Sequence, residues 1–396
     1  MDLDDARSAR SLVAGVSEVT PVAHSRWLHE LTGQDVRLKC ENLQRTGSFK
    51  IRGAYTRIAR LSEAERERGV VAASAGNHAQ GVALAAAMLG TTSTIFMPHG
   101  AALPKVQATR SYGAEVRFEG TGVTEALVAA QEHAEATGAT LIHPFDHPDI
   151  VAGQATVGLE ILEQVPDVAT IVVPLGGGGL AAGICLVKTE RPDVRVVGVQ
   201  AEAAAAYPDS LAAGRPVESR LGATMADGIA VARPGQVPFD LLRRHLDEVV
   251  TVSEEAMSQA LIGLLERGKM LVEPAGAAGV AALLEHPRRF AGPIVPVLSG
   301  GNIDALLLLE VIRHGLASGG RFLMFRVRIS DRPGELMRLL AALAAMDVNI
   351  LNVHHDRGSE ALGVREVEVA LQVATRGAAH REEVWRRLEE LGYDPR

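Results

Sequence analysis

Short apolar runs alternate with helical patterns along most of this chain, and this alternation most constrains its fold. Runs at residues 70–74, 170–174 and 294–298 are rich in valine, isoleucine and alanine, and segments with helical periodicity separate them. Further apolar runs occupy residues 36–40, 94–98, 115–118, 140–143, 195–199 and 248–252. Short buried strands separated by helices form parallel sheets covered on both faces, so the pattern predicts an α/β fold.

One lysine lies in an unusual setting. Lys50 stands between the apolar residues Phe49 and Ile51, after a Thr-Gly-Ser turn and before a helical pattern at residues 54–61. Burial among apolar neighbours lowers the pKa of a lysine amine, which suits it to attack a carbonyl and form a Schiff base. An isolated Ser-x-Lys is more often a solvated lysine at a helix start, so the interpretation depends on other motifs.

Three other motifs accompany the lysine segment. Residues 74–81 read Ser-Ala-Gly-Asn-His-Ala-Gln-Gly, residues 299–302 read Ser-Gly-Gly-Asn, and a glycine run comprises Gly176, Gly177, Gly178 and Gly179. The run follows an apolar strand and opens a helix, so its backbone N–H groups can converge on a phosphate. A dinucleotide site competes, but the run lacks the GxGxxG form and no acidic residue ends the next strand in the usual way.

Together and in this order, the four motifs resemble those of the fold-type-II pyridoxal-phosphate enzymes, and most closely the threonine/serine dehydratases. The resemblance extends from about residue 19 to about residue 316. It implies a catalytic domain at residues 1–318, similar to tryptophan synthase beta, with two open parallel-sheet lobes. The smaller lobe would comprise about residues 42–149, inserted in the larger one. It also implies pyridoxal 5′-phosphate as the cofactor.

The resemblance implies a role for each cofactor-binding residue. Lys50 would hold the cofactor as a Schiff base and then remove the α-proton of the substrate. The glycine run would cradle the 5′-phosphate, while Asn77 would bond the ring oxygen and Ser299 the pyridine nitrogen. The implied cofactor-binding set is Phe49, Lys50, Asn77, Gly176, Gly177, Gly178, Gly179, Leu180 and Ser299.

The motif at residues 74–81 is expected to receive the substrate. By resemblance, its first residues and the N–H groups of the following helix bind the substrate carboxylate, and Ser74 joins Lys50 as a catalytic residue. His78 is expected in a loop or behind the residues that touch substrate, because Lys50 already fills the role of base. The implied substrate-binding set is Ser74, Ala75, Gly76, Asn77 and His78.

These roles predict a lyase that converts L-threonine to 2-oxobutanoate and ammonia by β-elimination, with L-serine to pyruvate as a side activity. A serine-preferring dehydratase and a hydroxyaspartate dehydratase are alternatives. A serine racemase is a further alternative, but a racemase needs an acid or base on each face of the α-carbon, and Ala75 cannot supply one. The alternative outside enzymes is an amino-acid-binding regulatory protein with a vestigial catalytic domain.

Two sets of acidic residues bear on metal binding and on the cofactor. By resemblance, racemase-like members bind a divalent cation through a Glu and an Asp. Here Glu202 is present, but the second position is Pro208, and Asp209 could replace it only if the loop shifted. Divalent cations need several oxygen ligands, so a tight magnesium site is not predicted, and a loosely held monovalent or divalent ion near Glu202 stays an alternative. Glu273 is either a carboxylate near the cofactor ring, as in relatives, or an ordinary neighbour of a helix N-cap.

Charge and composition restrict the partners and the compartment. The formal net charge of −8 argues against nucleic acid and anionic membranes, and no apolar run approaches the roughly 20 residues of a membrane span. The N-terminus is acidic and lacks the apolar core of a signal peptide. Cys40 and Cys185 lack metal-ligand spacing, as expected of core residues in a reducing compartment. We therefore expect a cytoplasmic protein that acts on a small amino acid.

The pattern changes around residues 317–320, and a second domain is predicted at residues 321–396. Strands are predicted at residues 322–329, 350–355 and 365–373, with helices at 335–346 and 379–391. This order resembles the ACT regulatory domain, an α+β fold of pattern βαββαβ, although Pro395 leaves the last strand short or absent. The resemblance implies a branched-chain effector, isoleucine or valine, near residues 331–334 and 349–352. Pairing of such domains across subunits would make a homodimer or homotetramer.

Overall fold

The computed structural model describes residues 1–358 and 362–396, which divide into two compact units, Met1–Asp304 and Ala305–Arg396. The first half of the first unit contains α1 (Leu3–Val13), β1 (Val22–His24), α2 (Arg26–Thr32), β2 (Arg37–Lys39), α3 (Lys50–Ala59), α4 (Glu63–Glu67), β3 (Val70–Ala73), α5 (Asn77–Met88), β4 (Ser93–Met97), α6 (Leu103–Ser111), β5 (Glu115–Phe118), α7 (Val123–Thr137) and β6 (Thr140–Leu141). The second half contains α8 (Pro148–Gln164), β7 (Thr170–Pro174), α9 (Gly179–Cys185), β8 (Arg195–Ala201), α10 (Ala206–Ala213), α11 (Gln236–His245), β9 (Glu248–Val252), α12 (Glu254–Gly263), α13 (Pro274–Glu285) and β10 (Ile294–Pro296).

Two parallel sheets form the frame of the first unit. The first has the strand order β5-β4-β3-β6 and the second the order β10-β7-β8-β9, and every pairing within them is parallel. A separate antiparallel pair joins β1 to β2. The predicted α/β fold with parallel sheets is therefore confirmed.

The central strands are apolar throughout because both of their faces are buried. Every residue of β3 and β7 is buried, so these strands read in the sequence as continuous apolar runs rather than alternating ones. Ile51 and Ile95 belong to the core beside the first sheet, and Val151 and Ile171 to the core beside the second. Helices on the sheet faces supply the remaining apolar surface of each core.

The lysine segment departs from its predicted boundaries. A helix was predicted at residues 54–61, whereas α3 begins at Lys50. Phe49 already has helical dihedral angles, with φ −57° and ψ −16°, so the chain enters the helix directly from the Thr-Gly-Ser turn. Lys50 therefore occupies the first helical turn, at a fixed position on a rigid element.

The second unit is a small α+β assembly. It consists of α14 (Ala305–Ser318), β11 (Phe322–Ser330), α15 (Glu335–Ala345), β12 (Asn349–Asp356), β13 (Glu366–Ala374) and α16 (Ala378–Glu390). Its strands form an antiparallel sheet of order β11-β13-β12. Alternate residues of β11, such as Phe325 and Val327, pack with Leu339 of α15 and Leu388 of α16 in one core.

At the end of the chain, where the last strand is predicted to be short or absent, one residue pair forms backbone hydrogen bonds. The N–H of Arg396 donates to the carbonyl of Arg326, and the N–H of Arg326 donates to the carbonyl of Arg396, both at 2.9 Å. The division into units assigns α14 to the second unit, although the sequence analysis assigned residues 305–318 to the first domain. The predicted domain boundaries and the ACT resemblance stay predictions.

Helix length and hydropathy bear on the expected absence of a membrane span. Within residues 1–358 and 362–396, no helix has both the length and the apolar character that crossing a bilayer requires.

Candidate active site

A cavity of about 250 Å³ lies in the first unit, at the ends of strands from both sheets. Ser74 follows β3 and Gly176 follows β7, and both line it. Carboxyl ends of parallel strands are the usual ligand sites of α/β enzymes. All four sequence motifs contribute to its wall, through Phe49, Lys50, Ser74, Ala75, Gly76, Asn77, His78, Gly176, Gly177, Gly178, Gly179, Leu180 and Ser299.

Lys50 presents its amine to this cavity. Its Nζ donates a hydrogen bond to the carbonyl oxygen of Pro144 at 2.9 Å and lies 5.1 Å from the centre of the Phe49 ring. Burial lowers the pKa of Lys50 to about 8, partly offset by the negative charge of Glu273. A substantial fraction of the amine is therefore neutral near physiological pH, as attack on an aldehyde requires.

The glycine run forms a loop that only glycine can occupy. A Cβ at Gly177 would collide with the ring of Phe145, and a Cβ at Gly178 would collide with the hydroxyl of Tyr207. Gly178 also has φ of +101°, a conformation that side-chain-bearing residues rarely adopt. Because no side chain fills the loop, its backbone faces the cavity directly, and α9 begins at Gly179 with its N-terminus towards that space.

Tyr207 orients the middle peptide of this loop. The carbonyl oxygen of Gly177 accepts hydrogen bonds from the Tyr207 hydroxyl at 3.3 Å and from the backbone N–H of Gly235 at 3.2 Å. The C=O and N–H of one peptide unit point in opposite directions, so these two donors fix the direction of the Gly178 N–H. Tyr207 is fully buried and the sequence analysis missed it, since it lies 30 residues from its partner.

The substrate motif forms the turn between β3 and α5. The Ser74 hydroxyl oxygen accepts a hydrogen bond from the Gly76 N–H at 3.1 Å, and α5 begins at Asn77. His78 lies in the first turn of α5 rather than in a loop, and its Nε2 is 2.8 Å from the carbonyl oxygen of Ile142. Burial lowers the pKa of His78 to about 3, so its imidazole is neutral. A neutral, engaged ring agrees with the expectation that His78 is no catalytic base.

Asn77 belongs to a chain of polar side chains at the wall of the cavity. Its Nδ2 donates to the Glu273 carboxylate at 2.6 Å, and its Oδ1 accepts from Asn302 Nδ2 at 2.7 Å. Asn302 Nδ2 in turn donates to the carbonyl oxygen of Thr46 at 2.7 Å, in the lysine segment. One N–H of the Asn77 amide is therefore still available to a ligand.

Glu273 lies both at the start of a helix and at the wall of the cavity, and its place near the cofactor ring stays a prediction. It is the N-cap residue of α13, and it also lines the cavity with its side chain bonded to Asn77. Burial and, to a lesser degree, the nearby Asp227 raise the pKa of Glu273 to about 7, against the opposing effects of Lys105 and Asn77. The carboxyl group is thus partly protonated near neutral pH.

Ser299 joins the end of the second sheet to the lysine segment. It is buried and lines the cavity after β10. Its carbonyl oxygen accepts the N–H of Phe49 at 3.2 Å, and Ser48 pairs with Gly300 beside it. Backbone hydrogen bonds therefore join the segment that carries Ser299 to the segment that carries Lys50.

A buried cluster of four charges beside the site was also missed by the sequence analysis. The Arg52 guanidinium donates to Glu41 Oε2 at 2.8 Å and to Glu160 Oε1 at 2.6 Å, and Lys39 Nζ donates to Glu160 Oε2 at 2.5 Å. All four residues are buried, and their two positive and two negative charges balance. Arg52 follows Lys50 by two residues, whereas Glu160 is 108 residues from Arg52, so no local pattern indicates the cluster.

The cavity residues fit pyridoxal phosphate by their chemistry. A partly neutral lysine amine is suited to bond an aldehyde, and a loop that admits no side chain offers backbone N–H groups to a phosphate. The buried hydroxyl of Ser299 can partner a pyridine nitrogen without fixing a proton on it.

The acidic residues considered for a metal lie elsewhere. Glu202 is exposed, and the Asp209 carboxylate accepts a hydrogen bond from Ser219 at 3.2 Å. Across the part of the chain that the structure describes, no group of three or more His, Cys, Asp and Glu residues could hold a metal ion. Cys40 and Cys185 are both buried and free.

Comparison with known proteins defines the class of protein. A family model described as pyridoxal-phosphate dependent enzyme matches residues 14–300, and the chain belongs to this family. An L-threonine ammonia-lyase of Thermotoga maritima is 45% identical over 395 residues, covering 100% of this chain and 98% of that protein. An L-threonine ammonia-lyase of Geobacter sulfurreducens is 47% identical over 376 residues, covering 94% of each.

Solved structures agree on the architecture. A threonine deaminase from T.th. matches with a TM-score of 0.73 and 41% identity, covering 77% of this chain and 99% of that one. Maize serine racemase matches with a TM-score of 0.75 and 34% identity, covering 80% of this chain and 98% of that one. The predicted fold type II, the pyridoxal-phosphate cofactor and the lyase class are thereby confirmed. The alternative of a non-enzymatic binding protein is set aside.

Proposed function

We propose that this enzyme eliminates the β-hydroxyl group of L-threonine, giving 2-oxobutanoate and ammonia, with L-serine to pyruvate as a slower side reaction. The observation that carries the proposal is the convergence of Lys50, the glycine loop and Ser299 on one cavity. Two relatives named L-threonine ammonia-lyase, similar to this chain over 94% or more of its length, support threonine as the substrate.

Different residues of the cavity bind different parts of the cofactor. Bound pyridoxal phosphate supplies an electron-accepting ring conjugated to the substrate nitrogen. We assign the phosphate to the N–H groups of residues 176–180, the ring nitrogen to the Ser299 hydroxyl and the ring oxygen to the available N–H of Asn77. Glu273 holds Asn77 in place through the 2.6 Å hydrogen bond to its amide.

Lys50 is the base of the reaction. With pyridoxal phosphate bound, the free amine of Lys50 would accept the α-proton of the substrate. The turn at residues 74–76 and the N-terminus of α5 bind the substrate carboxylate, which orients the α-C–H bond towards Lys50. The lowered pKa of Lys50 keeps part of the amine neutral and able to accept that proton.

Elimination then breaks the Cβ–O bond. The electron pair of the α-C–H bond forms the Cα–Cβ double bond, and the hydroxyl leaves with a proton as water. The product released is 2-aminobut-2-enoate, which tautomerises and takes up one water to give 2-oxobutanoate and ammonia. Water is released and consumed in equal amounts, so the net change is threonine to oxo acid and ammonia.

The proposal is tested by assaying three products from the purified holoenzyme. We expect 2-oxobutanoate from L-threonine with a higher kcat/KM than pyruvate from L-serine, and D-serine formation slower than either. Ala75 motivates the last expectation, because it offers no acid or base on the second face of the α-carbon. Absence of 2-oxobutanoate would contradict the proposal, and a serine kcat/KM above that of threonine would favour the serine-preferring alternative.

We also propose that residues 321–396 form an ACT-like regulatory domain that binds isoleucine or valine. A cavity of about 270 Å³ in the second unit supports this, since it is lined by the turn at residues 331–335, His355 and Arg357. The N-terminus of α15 opens on the same turn and favours a carboxylate. An isoleucine effector would fit an enzyme of isoleucine biosynthesis.

The proposal also covers the oligomeric state of the enzyme and its cellular compartment. We propose a homodimer or homotetramer, since β12 is an edge strand of its sheet and pairing across subunits would cover that edge. We propose a cytoplasmic enzyme, supported by two buried cysteines that remain free.

A further inference from the structure

An ion pair lies in the wall of the active-site cavity. Lys105 Nζ lies 3.1 Å from Asp227 Oδ2, and both residues line the cavity. Lys105 belongs to the first turn of α6, beside the first sheet, whereas Asp227 begins a 3-10 turn, Asp227–Ile229, that passes next to Gly176 of the glycine loop. The Lys105 side chain is 16% exposed and that of Asp227 is 67% exposed, so the acid lies on the outer side of the pair.

The charges that line the cavity are few. Its titratable side chains, among the residues that the structure describes, are Lys50, His78, Lys105, Asp227 and Glu273. Lys50 is taken up by the cofactor in the proposed mechanism, and the His78 ring is already engaged with the carbonyl of Ile142. Of the described residues in the cavity wall, Lys105 is therefore the one remaining cation, and Asp227 neutralises it.

This inventory bears on which β-substituents the cavity accepts. In the proposed mechanism, the turn at residues 74–76 and the N-terminus of α5 bind the α-carboxylate of any amino acid. A second carboxylate, carried on the β-carbon, would find Lys105 already paired and would face the acids Asp227 and Glu273. A neutral methyl group or hydrogen meets no such repulsion.

We propose that the Asp227–Lys105 pair is a specificity determinant that excludes amino acids with an anionic β-substituent, such as 3-hydroxyaspartate, in favour of neutral ones. The inference rests on the proposed function, because it concerns the substrate class of the same site. Specificity of this kind arises from a repulsive element as much as from an attractive one. Since Asp227 is partly exposed, solvent and salt screen its charge, and its effect is moderate rather than absolute.

The test uses two ligands that cannot undergo elimination. L-2-Aminobutanoate is threonine without its hydroxyl, and L-aspartate is 3-hydroxyaspartate without its hydroxyl. Each is titrated into the holoenzyme, and the change in cofactor absorbance gives its Kd. The quantity compared is the ratio of the Kd for aspartate to the Kd for aminobutanoate, which cancels any general change in the site.

Opposite shifts are expected from the two members of the pair. Asp227→Asn frees Lys105 to meet a second carboxylate, so the ratio should fall about tenfold. Lys105→Met leaves Asp227 unpaired, so the ratio should rise about threefold or more. In the double variant Asp227→Asn/Lys105→Met, the Kd ratio should return most of the way to the wild-type value, because the cation that Asp227→Asn frees is absent. If one single variant fails to fold, the other still decides by the sign of its shift.

Two results would overturn the inference. One is a ratio that stays within about twofold of wild type in the single variants that fold. The other is a fall in the ratio that persists in the double variant, since Lys105 could not then be its cause. Wild-type 2-oxobutanoate release from L-threonine is measured in parallel, so that failure of the proposed function is recorded separately. Threonine elimination with an unchanged ratio would reject this inference alone.

Discussion

Arg52 and Glu41 form a two-pronged ion pair with no solvent exposure. The guanidinium donates to the carboxylate from Nε at 2.8 Å and from Nη2 at 2.9 Å. Glu160 and Lys39 complete the cluster, so every charge has a partner. Because Arg52 is two residues beyond Lys50 in the first turns of α3, the cluster fixes the helix that carries the catalytic amine.

Removal of the arginine should therefore be costly. Arg52→Met leaves the Glu41 and Glu160 carboxylates buried without their main counter-charge, and we expect the free energy of unfolding to fall by about 3–5 kcal/mol. Urea denaturation measures it. The control is Arg26→Met, since Arg26 is 88% exposed in its pair with Glu30 and should contribute at most about 1 kcal/mol. Equal small losses in both variants would contradict the role given to the cluster.

The Tyr207 hydroxyl should contribute to cofactor affinity without touching the reacting atoms. Tyr207→Phe removes one of the two donors that hold the Gly177 carbonyl, and we expect the Kd of the apoenzyme for pyridoxal phosphate to rise about fivefold, as for loss of roughly 1 kcal/mol. Titration of the apoenzyme with cofactor, followed by absorbance, gives this Kd. Tyr112→Phe is the control, because Tyr112 does not line the cavity. An unaltered Kd would show that Gly235 alone suffices to orient the loop.

Glu273 should make the stability of the cofactor-free protein depend on pH. Burial raises its pKa from 4.5 to about 7, so the folded state holds the proton in a range where the unfolded state has lost it. The stability contributed by the neutral carboxyl is fully present below about pH 4.5 and is lost as the pH rises through about 7. Over this range we expect the unfolding free energy of wild type to fall by about 3 kcal/mol relative to Glu273→Gln.

Denaturant titrations of the two proteins at several pH values measure this difference. Lys50 contributes little to this slope, because its pKa of about 8 keeps most of the amine protonated below neutral pH. Glu202→Gln, at an exposed carboxylate, serves as the control. A difference between wild type and Glu273→Gln that does not vary with pH would reject the raised pKa.

Deletion of residues 321–396 tests the proposed regulation. All residues that line the active-site cavity, from Phe49 to Ser299, lie in the part of the chain that this deletion keeps. We expect the truncated enzyme to release 2-oxobutanoate from threonine and to lose any response to isoleucine and valine. Arg357→Met in the full-length chain should weaken the same response, because Arg357 lines the second-unit cavity. A truncated enzyme that isoleucine still inhibits would contradict an effector site in this unit.

The fold could be predicted well because buried parallel strands appear in the sequence as short, continuous apolar runs. The runs at residues 170–174 and 248–252 coincide with β7 and β9. The start of α3 was missed because its first turn carries Lys50 and Arg52, charged residues that a helical pattern assigns to the surface. Their burial depends on partners far along the chain, which periodicity does not reveal.

The site could be predicted in part for the same reason. Lys50, the glycine loop and Ser299 each belong to a short motif whose residues are adjacent in the sequence. Tyr207 and the Lys105–Asp227 pair act through contacts between distant segments, and the ion pair joins residues 122 positions apart. Such contacts are determined by how the two sheets meet, so only the structure identifies them.

Lys50 is proposed both to carry the cofactor and to serve as the base for elimination. Reduction of the holoenzyme with borohydride, followed by peptide mass analysis, tests this proposal most directly, because reduction makes a Schiff-base attachment permanent. We predict that the peptide containing Lys50 carries the mass of the reduced cofactor. Lys50→Ala should lose both this mass and the release of 2-oxobutanoate. Lys188→Ala, at a lysine paired with Asp247, should change neither. Cofactor attached to another lysine, or undiminished threonine elimination by Lys50→Ala, would contradict the account.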